Sequence, residues 1–191
     1  MRSAKLRLLL ITVAAILVSL MSNQTLAYYT VVGTATNVVT SGSVHLQINE
    51  RTTDGTPFPK EGVFVIPGMR VGKRVTVENV CEHPFYLRVQ LVSSVNNTQL
   101  SAEDCLEMDL NLADWTLRDD GYLYYNTAVK PGKETKPVFT WVEIVGAHVD
   151  NSYIGSALTL TVNAYAVQSE NNPANTPWEA HGWPEPEGGQ L

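Results

Sequence analysis

Alternation with a period of two, punctuated by Gly and Pro, constrains the fold of this chain more than any other feature. The stretch VHLQIN sets Val44, Leu46 and Ile48 on one side and His45, Gln47 and Asn49 on the other; ALTLTVNAYAV does the same with Leu158, Leu160, Val162, Ala164 and Ala166. Successive side chains of a strand point to opposite faces, so both stretches read as half-buried strands. Runs of the same kind occupy residues 63–66, 74–80, 85–92, 115–118, 122–125 and 136–145. So many short strands predict an all-β, antiparallel β-sandwich rather than a mixed fold. The connections carry matching chemistry: Asp119-Asp120-Gly121 supplies the positive φ of a hairpin turn, and Pro67-Gly68 and Pro131-Gly132 fit type II turns. One segment reads differently. Ser101 followed by Asp104 has an N-cap arrangement and AEDCLEM lacks β-branched residues, which predicts a short helix near 102–108 inserted between strands.

The N-terminus has the physical features of an export signal. Arg2, Lys5 and Arg7 form a positive region, residues 8–21 are an apolar run, and Thr25-Leu26-Ala27 offers small residues where a signal peptidase reads. Cleavage is expected between Ala27 and Tyr28, with residues 1–27 a helical signal peptide. The apolar run is shorter than the roughly 20 residues a bilayer core requires, and a spanning anchor is the weaker reading. Removing the leader takes three of the 13 Lys and Arg and none of the 19 Asp and Glu, leaving 10 against 19 and a net charge of −9. Nucleic acid and anionic lipid both need a basic footprint, so neither is the expected partner. Behind the cleavage site, residues 28–49 carry no Asp, Glu, Lys or Arg. Residues 28–168 are expected to form one domain, and residues 169–191, rich in Pro, Asn, Glu and Gly, a flexible tail from which Trp178 and Trp183 can dock on the sheet.

Two sequence blocks are similar to the TasA/camelysin family of proteins, exported by Gram-positive bacteria through a SipW-type signal peptidase. The first comprises Ala27, Tyr28, Tyr29, Ala35, Asn37, Thr40, Gly42 and Glu50; the second comprises Pro67, Gly68, Val77, Asn79, Arg88 and Val89. The resemblance implies a jelly-roll β-sandwich serving as a secreted, extracellular or cell-surface subunit of a matrix or biofilm fibre. It also implies assembly with itself or a related matrix protein, the N-terminal strand of one subunit completing the sheet of the next. The residues permit such a mechanism: an uncharged extended strand can complete an exposed sheet edge through backbone hydrogen bonds. The candidate donor segment is residues 28–42, with Tyr28, Tyr29, Val31, Val32, Val38 and Val39 as its apolar residues. Pairing of the same strand within its own domain is the other reading, and Gly33 and Gly42 leave the register weakly specified.

Catalysis finds little support. Camelysins have been described as metallopeptidases, but His45, His83, His148 and His181 are dispersed and no His-Glu-x-x-His spacing occurs. A G-x-S-x-G elbow is missing as well. The carboxylates Glu103, Asp104, Glu107, Asp109, Asp119 and Asp120 read as a solvated acidic face rather than as a glycosidase pair. No catalytic residue, metal or cofactor is expected. A non-catalytic adhesin or carbohydrate-binding sandwich is the alternative function, with Tyr122, Tyr124 and Tyr125 either stacking on sugar or packing across strands. Cys81 and Cys105 either form a disulfide, worth about 3 kcal/mol in an oxidising compartment, or stay as two buried thiols.

Overall fold

The computed structural model describes residues 29–37, 44–96, 101–102, 104–149, 151–153, 155–170 and 172–184. The proposed signal peptide, its cleavage site, Val38, Val39, Glu103 and the end of the tail lie outside them.

The chain is all-β and mostly antiparallel. Its strands are β1 (Tyr29–Asn37), β2 (Leu46–Arg51), β3 (Val63–Val65), β4 (Arg70–Gly72), β5 (Arg74–Asn79), β6 (Phe85–Val95), β7 (Leu106–Met108), β8 (Trp115–Leu117), β9 (Leu123–Tyr125), β10 (Trp141–Ile144) and β11 (Ala157–Gln168). A six-stranded sheet runs β3-β1-β11-β6-β9-β8, a three-stranded sheet β4-β10-β7, and a two-stranded sheet β2-β5. The segment before β10 joins the smaller sheets: Val138 N–H donates to Val75 O at 2.8 Å and Thr135 N–H to Val77 O at 2.9 Å.

Alternation decides which faces meet. Along β11, Leu158, Leu160, Val162 and Ala164 are buried; on β5, Val75 and Val77; on β6, Phe85, Leu87 and Val89. Together with Trp115, Val138, Phe139 and Val142 most of these form one cluster that draws on both the large sheet and the smaller ones. A second cluster, containing Val65, Cys105, Ile144, Tyr153 and Leu158, fills one end. Each fully buried aliphatic side chain contributes on the order of 1.5–3 kcal/mol, so this shared core holds the layers together.

The three turns behave as their residues predict, with φ of 79° at Gly68, 79° at Gly121 and 65° at Gly132. The helix near 102–108 does not form. Asp104 takes φ 57°, a left-handed conformation that Asp tolerates, and β7 follows, with Leu106 opposite Ile144 and Met108 opposite Val142 of β10. Leu106 and Met108 are two apart, so a strand places both against the core, whereas the helical preference of AEDCLEM is worth only a few tenths of a kcal/mol per residue. Over its described residues the tail lies against the large sheet. A 3-10 turn at Pro177–Glu179 and the residues after it pack Trp178 and Trp183 against Tyr122, Tyr124 and Tyr165.

Candidate functional site

The N-terminal strand occupies an interior place in the large sheet. β1 pairs with β11 in parallel, from Thr30 opposite Ala157 to Asn37 opposite Ala164. On its other side it pairs antiparallel with β3, Tyr29 opposite Val65 and Val31 opposite Val63. Sequence left two readings open for this segment; within one chain it completes its own sheet. The ladder includes Tyr29, Val31 and Val32 of the candidate donor residues. Its parallel hand departs from the antiparallel expectation, and the reason is topological: the first and last strands lie side by side, with the rest of the chain as their connection. On its far side β11 runs antiparallel to β6 through an unbroken register from Leu158–Val95 to Gln168–Phe85. Withdrawal of β1 would uncover eight residues of β11 backbone and the inner edge of β3.

The tyrosine hairpin is packed rather than open. Tyr122 and Tyr124 are buried beside Tyr165, with Tyr122 edge-on to Tyr165 at 5.6 Å and Tyr124 edge-on to Trp183 at 5.6 Å. The Arg88 guanidinium lies 4.0 Å from the Tyr122 ring centre and 4.8 Å from that of Trp183, and donates to Pro184 O at 3.2 Å. Burial, reinforced by the bond to Asp120, pushes the Tyr124 hydroxyl above its ordinary range. Tyr125 faces the other way, onto Trp115 at 5.0 Å. The tail tryptophans thus pack on Tyr122 and Tyr124, while Tyr125 packs against the main core.

The other sequence candidates are scattered. His45 precedes β2, His83 lies between β5 and β6 with its ring 3.0 Å from Glu170, His148 follows β10, and His181 is in the tail. Among the described residues no group of three or more His, Cys, Asp or Glu is placed to hold a metal. Asp109 accepts from the Thr140 hydroxyl and the Thr140 and Trp141 amides, and Asp120 accepts from the Tyr124 hydroxyl at 2.7 Å, so both act as local braces.

Cys81 and Cys105 are not bridged. Both are free thiols, with Cys81 directed to Asn79 Oδ1 at 2.9 Å and Cys105 to Ser101 O at 3.3 Å. They pack in different core clusters, and the segment that holds Cys105 turns at Asp104 and joins β10 as β7. Burial, together with the Asp104 charge, raises the Cys105 thiol above its usual value against the lowering effect of Tyr153.

A feature that the sequence did not disclose is a buried ion pair. Lys73, fully buried between β4 and β5, lies 2.8 Å from Glu50 and over the Phe58 ring at 4.8 Å. Only its place two residues before Val75, in phase with the buried Val75 and Val77, hints that it points inward. Among the described residues no helix is long and apolar enough to cross a membrane. Comparison with family models, with curated proteins and with solved structures returned no match.

Proposed function

We propose that this protein is a secreted structural subunit with a jelly-roll β-sandwich, which builds an extracellular matrix or biofilm fibre by giving β1 to a neighbouring copy. The observation that carries this reading is the place of β1: it is the first strand of the proposed mature chain and yet an interior strand of the large sheet, parallel to β11. Parallel pairing is slightly less stable per residue than antiparallel pairing, so β1 is the member of that sheet best suited to exchange. A neighbour's β1 can make the same ladder, because backbone hydrogen bonds do not distinguish one copy of the chain from another. The segment carries no charge, which removes like-charge repulsion when an acidic subunit approaches its twin.

Export comes first in this reading. A SipW-type peptidase cuts after Ala27, releases the chain from the membrane and frees Tyr28 as the new terminus. Electron microscopy of protein beginning at Tyr28, beside protein beginning at Gly42 and the uncleaved form, tests it. Fibres are expected from the Tyr28 form alone; fibres of equal abundance from the Gly42 form would sink strand donation.

A further inference from the structure

On the outer face of the β2-β5 sheet three cations meet, and only one of them, Arg51, has a carboxylate partner among the described residues. Arg51 and Arg74 stand directly opposite one another in the ladder, a placement in which like charges destabilise a strand pair. Lys136, from the segment that flanks β5, lines the same open pocket, whose volume is about 400 Å³. Glu134, Thr76 and Thr135 complete most of its wall. Three positive charges thus face one carboxylate, in a mature chain where Asp and Glu outnumber Lys and Arg by 19 to 10.

That carboxylate is already engaged. Glu134 pairs with Arg51 and accepts from Thr76 and, at 2.9 Å, from Asn49. Glu78, further along the same face, is held by Asn49 at 3.2 Å and lies outside the lining. No described carboxylate is paired with Arg74 or Lys136 within salt-bridge distance. The walls are fixed from behind: Thr135 Oγ1 accepts from Val77 N–H at 3.0 Å, and Lys136 O accepts from the Trp115 indole at 3.2 Å.

We propose that this pocket binds a phosphate group, with Arg74 as a fork, Lys136 as a point charge and Arg51 supplying the donors left free by its Nη1, which Glu134 and Thr76 hold. Guanidinium groups match phosphate oxygens two at a time, while an ammonium acts without that planarity. Cations arriving from three chain segments suit a tetrahedral anion better than a flat carboxylate. The ligand is free phosphate or the phosphodiester of a polymer, and the site is independent of strand donation.

Side-chain-resolved NMR of the mature protein, titrated with sodium phosphate and with sodium chloride at matched ionic strength, tests the site. Saturable shifts of the Arg51 and Arg74 Nε–H groups are expected with phosphate alone. Arg74→Gln/Lys136→Gln should lose about tenfold or more in affinity, while in chloride Arg74→Gln alone should raise the thermal midpoint by relieving the Arg51–Arg74 repulsion. A parallel titration with a glycerol phosphate oligomer separates the sources: tighter binding than inorganic phosphate points to a polymer, equal binding to the free ion. Identical shifts in chloride and phosphate, acetate competing as well as phosphate, or undiminished binding by the folded double variant would overturn the proposal.

Discussion

At Lys73 a full charge sits where the alternating pattern asks for an apolar side chain, and its energetics depend on one partner. Glu50→Gln leaves the ammonium buried without a counter-charge and is expected to cost about 3–5 kcal/mol in denaturant unfolding, whereas Lys73→Met is expected to be neutral or stabilising. Burial holds the Lys73 ammonium below the ordinary lysine value of 10.5, and the Glu50 charge and hydrogen bond offset only part of that. Between the folded value and 10.5 the unfolded chain therefore binds more protons, so stability rises with pH through that window. The advantage of Lys73→Met over the wild type should be full at lower pH and shrink as pH approaches 10.5. At Asp109 stability also rises with pH, but in the acid range and because the charged form is the one that folding stabilises. Burial pushes its carboxyl up, but the bonds from Thr140 and Trp141 outweigh this and hold it below the ordinary 3.8. Its contribution is present above 3.8 and is lost as pH falls through the lower folded value, so acid unfolding of Asp109→Asn should be less steep than that of the wild type.

Among the elements, β1 and the docked tail lend themselves to direct tests. A proline in β1 removes a ladder donor; Thr34→Pro should lower the unfolding midpoint of the monomer and abolish fibres, and unchanged fibres would count against strand donation. Trp183 contacts Tyr124 and Arg88 rather than the main core, so Trp183→Ala should cost about 1–2 kcal/mol and make residues 169–184 sensitive to limited proteolysis. The strands themselves were legible: alternation located β2, β3, β5, β6, β8, β9 and β11 to within a few residues. β4 and β7 were not, because β4 is Arg-Val-Gly with a single apolar side chain and β7 lies inside a stretch whose composition favours a helix. The helix expected near 102–108 shows the same limit from the other side, since local propensity there was weaker than the pairing of Leu106 and Met108 with β10. In the tail, composition favours looseness while Trp178 and Trp183 signal docking, and both tryptophans pack on Tyr122, Tyr124 and Tyr165.

Across the whole molecule, the main cluster joins the large sheet to the smaller ones, so the domain should unfold in one cooperative transition. Intact-mass measurement after alkylation is expected to find two free thiols, with the partly exposed Cys81 labelled in the native protein and the buried Cys105 only on unfolding; a mass two hydrogens lighter that resists alkylation would restore the disulfide. Of the candidate sites, the sequence marked the N-terminal strand as one built for pairing but could not say with what, because Val31 or Val32 forms the same backbone bonds with any open edge. It gave no hint of the phosphate pocket, since Arg51, Arg74 and Lys136 are far apart along the chain and read singly as ordinary surface charge. Period and turn chemistry are local properties, and by themselves they determined that the chain is all-β, where most strands begin and end, and which side of each is buried. Which strands become neighbours is a matter of non-local hydrogen bonds and shared burial. Tertiary structure alone therefore decided that β1 lies between β3 and β11, that Cys81 and Cys105 stay apart, and that three cations converge on one face of the β2-β5 sheet.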